Sequence, residues 1–149
     1  MIKTLLTAML PVLEIRAAIP VGIAGGLSPF AAFAVGVLGN MLPIPFLILL
    51  TRKVILWLKR HGILTHFAAW LEDKSAKGAE KVQRASFWGL FVLVAIPLPG
   101  TGAWTGALVA SMLDMRLKRA LPAIALGVIA AGLIVLGITC GVISVGNAL

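Results

Sequence analysis

The chain has 149 residues, 60% hydrophobic and 12% charged, with a mean hydropathy of +1.08. Soluble domains are about 45–50% apolar and about 25% charged, so an aqueous surface cannot hide this excess, and no length remains for a separate soluble enzyme domain. The formal net charge of +8 comes from basic residues set between apolar runs, which fits control of membrane topology rather than nucleic-acid binding.

The first apolar region runs over Thr4–Leu27. Its opening, MIKTLLTAMLPVL, has the outline of a signal peptide. However, Glu14 and Arg16 follow at once with no small-x-small cleavage site, so the segment is expected to belong to the mature fold. Leu5–Ile15 is expected as one limb of a hairpin, with Pro20 and Gly22 at the turn after the polar Glu14-Ile15-Arg16 interruption. An ionisable residue inside an apolar segment is costly and is a functional candidate by default. Glu14 fits a group that takes and releases a proton, and Arg16 fits one that holds an anionic group. The alternative for both is snorkelling or a structural pair. Residues two apart on a regular helix do not face each other, and a helix break near Pro20 would lift that limit.

The second apolar region, Phe30–Leu50, is long enough to cross a bilayer, with a kink expected at Pro43 and Pro45. Thr51–Ser86 follows. It carries Arg52, Lys53, Lys59, Arg60, Lys74, Lys77, Lys81 and Arg84 against Glu72, Asp73 and Glu80, a balance of +5. The positive-inside rule makes it cytoplasmic. Phe67, Trp70, Leu71, Ala79 and Val82 recur at helical spacing, which suits either an amphipathic helix on the inner membrane surface or a solvated helix with a weak apolar stripe. His61 and His66 lack the neighbours of a metal site and are expected at the interface, with Trp57, Trp70 and Trp88 as anchors.

The third region, Phe87–Leu113, poses a charge problem. If it crossed fully, the following loop, Asp114-Met115-Arg116-Leu117-Lys118-Arg119, would put three basic residues outside. A re-entrant hairpin removes the conflict. Pro97, Pro99, Gly100 and Gly102 supply the turn, and limbs of about 11–13 residues reach about 16–20 Å, half a bilayer. Leu121–Val145 is the second crossing. Both termini then lie outside, and the two hairpins dip in from opposite sides.

The expected fold is therefore an all-α integral membrane protein. Two re-entrant helical hairpins and two transmembrane helices form an inverted repeat, joined by a cytoplasmic amphipathic helical linker. The whole chain, 1–149, is one membrane domain: repeat one over 1–50, the linker over 51–86, and repeat two over 87–149. Pro20-x-Gly22-x-x-x-Gly26 has a counterpart in Trp104-x-Gly106-x-x-x-Ala110, small-residue patterns that let helices approach closely.

A broken backbone at membrane depth is tolerated only inside protein or beside a water-filled cavity. A helix restarting near Ala103 would aim its first N–H groups at that cavity and make an anion site from Gly100, Thr101 and Gly102. Thr101 either contacts a ligand or caps the helix. Trp104 faces either lipid or the cavity. Asp114 is expected to form a surface salt bridge, with a second proton-relay carboxylate as the sharper alternative. Cys140 has no partner for an internal disulfide or a metal. The sequence holds no nucleophile–base pair, metal-ligand cluster or complete phosphate loop, so neither enzyme activity nor a cofactor is expected.

Glu14-x-Arg16-x-Ala18-Ile19-Pro20-x-Gly22, followed by Pro97-x-Pro99-Gly100-Thr101-Gly102-x-Trp104-x-Gly106, resembles the putative small multidrug export protein family over nearly the whole chain. The resemblance implies export of small lipophilic drugs. The arrangement is also similar, more distantly, to the DedA membrane proteins, which implies opposed re-entrant hairpins, ion-coupled movement of lipids such as polyprenyl phosphates, and roles for an acidic residue and an arginine. Those roles fall here on Glu14 and Arg16. The second hairpin has no acid or arginine at its turn, so a symmetric two-carboxylate mechanism is not implied.

Three functions follow as expectations. The first is proton- or cation-coupled transport of an amphipathic anion, such as a lipid phosphate. In that reading Arg16, Gly100, Thr101, Gly102 and Trp104 bind substrate, and Glu14 and Asp114 handle the coupling ion. The second is export of lipophilic cations, which Arg16 disfavours by like charge. The third is a non-transporting membrane scaffold or assembly factor. The expected setting is a bacterial-type cytoplasmic membrane, with membrane lipids as partners and a homodimer as the assembly; Gly22, Gly26 and Gly106 would serve contacts within or between subunits.

Overall fold

A computed structural model describes residues 1–10, 13–61, 79–97 and 102–146. All regular structure among them is helical: α1 (Ile2–Met9), α2 (Glu14–Ala24), α3 (Pro29–Met41), α4 (Ile44–Arg60), α5 (Ala79–Ala95), α6 (Ala103–Met112) and α7 (Leu117–Gly146). Two stretches, Pro29–Trp57 and Leu117–Ser144, are long and apolar enough to cross a membrane. Large apolar side chains face outward along them, among them Phe30, Phe46, Ile138 and Val142, each at least 60% exposed. Water would penalise that surface and lipid accepts it.

The first span bends where the prolines lie. Pro43 and Pro45 have no N–H to give back to the preceding turn. Helix assignment stops at Met41 and resumes at Ile44, while Leu42 keeps right-handed helical angles, so the chain kinks without reversing. α4 then runs ten residues past Leu50, and α5 starts at Ala79. Both ends of the segment expected as linker are thus helical extensions of their neighbours. Phe67, Trp70, Leu71 and His66 lie outside the described residues.

The first turn is not where the sequence pattern put it. Pro20 and Gly22 lie inside α2, and the break separating α1 from α2 falls before Glu14. Leu10 caps α1 in extended geometry, φ −75° and ψ 137°, the region favoured before a proline, here Pro11 in the sequence; Ile19 and Leu42, also before prolines, stay helical. Gly22 serves packing instead: a Cβ there would lie 2.9 Å from Ala32 Cβ and 3.0 Å from Thr4 Cγ2.

The two halves pack alike. α1, α2 and α3 contact one another, as do α5, α6 and α7, and the halves join where α2 and α3 meet α7 and where α4 meets α6. α2 and α6 close with the same cap. The Leu27 N–H donates to Gly22 O and Gly26 N–H to Ile23 O; Met115 N–H donates to Ala110 O and Asp114 N–H to Ser111 O. Gly26 at φ 85° and Asp114 at φ 49° hold the left-handed position this cap requires. Cap matched to cap pairs Gly22 with Ala110, Glu14 with Gly102, and Leu10-Pro11 with Leu98-Pro99. That is one helical turn away from the match of Pro20-x-Gly22 to Trp104-x-Gly106. The same register pairs Gly39 with Gly127. Gly39 lies against Ala8 Cβ and Leu5 O, and Gly127 against Val94 Cβ and Phe91 O, a residue and the carbonyl three before it in both cases.

Candidate functional site

The site is built where α2 and α6 begin. Glu14 is the first residue of α2, with φ 45°, a left-handed conformation that costs a non-glycine residue about 1–3 kcal/mol. Gly102, its counterpart, caps the start of α6 at φ 145°, where a side chain is hardly tolerated. Glu14 is buried, only 4% exposed, and its carboxylate lies against the Cα of Gly102; a Cβ on Gly102 would overlap Oε2. The Trp104 N–H donates to Glu14 Oε1 at 3.3 Å, and the Ala103 N–H is also directed at the carboxylate.

The helix restart expected at Ala103 is therefore present, and its first N–H groups hold a carboxyl group, the chain's own. The acid of the first helix pair docks into the N-terminus of α6 in the second pair, where the aligned peptide dipoles favour negative charge. Arg16 crosses the same junction, with Nη2 3.5 Å from the carbonyl of Ile96, at the end of α5. Its positive charge also acts on the Glu14 carboxylate. The break before Glu14, not one at Pro20, is what lets both charged side chains reach the second helix pair.

Of the residues expected to act together, Glu14, Arg16, Gly102 and Trp104 are brought to one junction. Pro97 lies beside it, one residue after Ile96. Gly100, Thr101 and Pro99 lie outside the described residues. Pro20 and Gly22 are not at the junction. Asp114 sits after the other end of α6, about 15 Å along a ten-residue helix. It is 79% exposed and pairs with Arg52 Nη2 at 3.1 Å, while Arg52 Nη2 also donates to Met115 O. The salt bridge is the reading the geometry carries, and a relay shared with Glu14 is not.

Sequence reasoning passed over Asn40. It is 1% exposed, and neither its Nδ2 nor its Oδ1 has a hydrogen-bond partner. The signal was available, since Asn40 is the sole polar side chain between Phe30 and Leu50. The Trp104 Nε1–H is likewise buried without a partner. Gly22 and Gly106 make their close contacts within the chain, Gly106 against Val94, Ile124 and Leu90, and Gly26 serves as a cap.

A family model described as putative small multi-drug export protein matches residues 14–134. The chain belongs to that family. The matched range opens on Glu14 and includes Arg16, Asn40, Gly102 and Trp104. No curated protein and no solved structure gave a significant match. Membership of the small multidrug export family and two apolar crossing helices make this a membrane protein of the export class. The match to this family does not by itself show a relationship to the DedA proteins.

Proposed function

We propose that this small multidrug export family member is a proton-coupled transporter of an amphipathic oxyanion, with its gate at the junction of the two helix pairs. The observation that carries the reading is the docking of Glu14 into the N-terminus of α6. A carboxylate in that place excludes any other anion. Protonation neutralises Glu14 and removes its preference for the helix terminus. A phosphate or carboxylate headgroup then takes the Ala103 and Trp104 N–H groups, with Arg16 as counter-charge. One proton and one anion thus enter together, and release of the headgroup lets Glu14 return.

The α1–α2 and α5–α6 pairs are, in this proposal, re-entrant hairpins of an inverted repeat that enter from opposite membrane faces. Matched caps, matched glycine contacts and the tip-to-tip meeting at Glu14 and Gly102 support it. The basic segment after α4 faces the cytoplasm of a bacterial-type inner membrane, by the positive-inside rule. The partners are lipid and a second copy of the chain. Gly137 and Gly141 have no neighbour within 4 Å and leave an open seam on α7 for that copy.

The test is flipping of a fluorescent alkyl phosphate in proteoliposomes, with and without a proton gradient. Glu14→Gln should move the probe without response to the gradient. Arg16→Ala should lose movement while its thermal unfolding stays near that of the wild type. Full activity of Arg16→Ala would exclude this mechanism. The family description favours a second reading, export of lipophilic cations. There, wild type and not Glu14→Gln would drive out tetraphenylphosphonium, and Arg16→Ala would raise rather than abolish the rate, because a like charge is removed. A scaffold would leave both variants silent in both assays.

A further inference from the structure

Asn40 is buried with its amide donor and its acceptor both unused, and its depth in the fold can be fixed from contacts on either side. One turn before it, on the same face of α3, Gly36 lies against Ile15, Ile19 and Ala18 at the start of α2, at 3.4, 3.6 and 3.8 Å from a built Cβ. On the other side, Ile48 O accepts from Ser111 Oγ at 3.3 Å, and Arg52 reaches Met115 O and Asp114. Those two points show α4 and α6 running side by side in the same direction, with a step of four on one matched by a step of four on the other. Two helices of equal rise keep that register. Two turns back from Ser111 along α6 is Ala103, where the Glu14 carboxyl group is held. α2 and α3 run antiparallel, with Gly22 against Ala32 and Gly36 against Ala18, so one further turn along α3 sets Asn40 level with Glu14 and with that start of α6.

A buried amide with neither its donors nor its acceptor satisfied is a standing cost in an apolar interior. A second buried donor without a partner is the Nε1–H of Trp104, the second residue of α6. Both are neutral donors. Neither competes with Glu14 for the α6 terminus, and neither adds fixed charge that would need a counter-ion in lipid. We propose that Asn40 is a headgroup-binding residue of the junction, donating from Nδ2 to an oxyanion, a phosphate or carboxylate, that enters when Glu14 leaves, with the Trp104 indole N–H as a second donor. This rests on the oxyanion reading above and names the residue that makes the site selective. Removing the amide takes away a donor made for the ligand, not one made for the fold.

That distinction sets the test. The probe is tetradecyl phosphate, with inorganic phosphate and tetradecanol as separate arms, added to the purified full chain in detergent. Binding is read from tryptophan fluorescence and from the shift in thermal unfolding. Wild type should respond to tetradecyl phosphate and not to tetradecanol; a response to inorganic phosphate as well would identify the free anion, not the lipid headgroup, as sufficient. Asn40→Leu, nearly isosteric and apolar, should weaken tetradecyl phosphate binding about tenfold or more while the ligand-free protein unfolds at the same or a higher temperature. Asn40→Asp should weaken it further by charge repulsion. Wild-type affinity in either variant overturns the assignment of Asn40 and leaves the oxyanion site standing. A ligand-free Asn40→Leu protein that unfolds well below wild type, with affinity retained in Asn40→Asp, makes the residue structural and also overturns it. No response of the wild type to tetradecyl phosphate overturns the oxyanion site and Asn40's role together.

Discussion

Gly102 is the residue whose side chain matters by being absent. Its place is set by two independent constraints. A φ of 145° is costly for any residue with a Cβ, and the space a Cβ would take is filled by Glu14 Oε2. Gly102→Ala should therefore expel the carboxylate and lower stability by about 1–3 kcal/mol or more from the backbone alone. The steric part vanishes if the carboxylate is already gone. In a double-mutant cycle, Gly102→Ala should cost less in a Glu14→Ala background than in the wild type, read as midpoints of thermal unfolding in detergent. Equal costs in both backgrounds would mean that the carboxylate does not occupy the α6 terminus. Glu14 and Arg16 were visible in the sequence because charge in an apolar run is rare. Their target was visible as a class, a helix restart near Ala103. That the two would satisfy each other was not, because the pairing spans 90 positions of chain and depends on how the helix pairs meet.

At the scale of elements, the lesson lies in the two prolines that end α1 and follow α5. Pro11 and Pro99 each follow a leucine, and each precedes by three residues a position of positive φ at a helix start, Glu14 and Gly102. Pro20 drew attention because it sits beside the charged residues and a glycine. Yet a proline six positions into a helix forfeits one hydrogen bond and can be held there by packing, as Pro20 is, while Leu10 before Pro11 takes the extended conformation that a following proline favours. Pairing Leu10-Pro11 with Leu98-Pro99 in the sequence gives the same register as the matched caps. The matched caps make a further prediction. Asp114 holds the left-handed place that Gly26 holds in the first half, at φ 49°. Its salt bridge with Arg52 is largely exposed and is worth about 0–1 kcal/mol. Asp114→Gly should thus be neutral or stabilising, since relief of the left-handed strain, about 1 kcal/mol, offsets the lost ion pair. Asp114→Val should destabilise by more than that, because a β-branched residue is least suited to positive φ. Chemical or thermal unfolding of the two variants separates cap from charge: a larger loss for glycine than for valine would mean that the ion pair outweighs the backbone strain at this cap.

For the whole molecule, the decisive question is on which side of the membrane the Asp114 loop lies. Full crossing by Phe87–Leu113 and a re-entrant pair give opposite answers. α4 carries Arg52, Lys53 and Arg60 toward the basic segment, and Arg52 is bonded to both Asp114 and Met115. The end of α6 is thereby fixed level with Arg52, just past the apolar part of α4, and a bilayer cannot pass between residues in hydrogen-bond contact. The charge argument from sequence expects the same side for this loop, since three basic residues in six belong with the basic segment. In a Cys140→Ser background, cysteines at His61 and Arg116 should both be labelled by a membrane-impermeant maleimide from the same face, and one at Ser28, which caps α3 at the far end of the first span, from the opposite face. Labelling of His61→Cys and Arg116→Cys from opposite faces would place a full crossing between them. It would also pull Gly102 away from Glu14, because α5 and α6 could not then form a pair whose tip stops at the level of α2. The coupling mechanism therefore depends on this topology more directly than on any one side chain: a proton on Glu14 can free an anion site on α6 only if two interrupted helices end at the same depth.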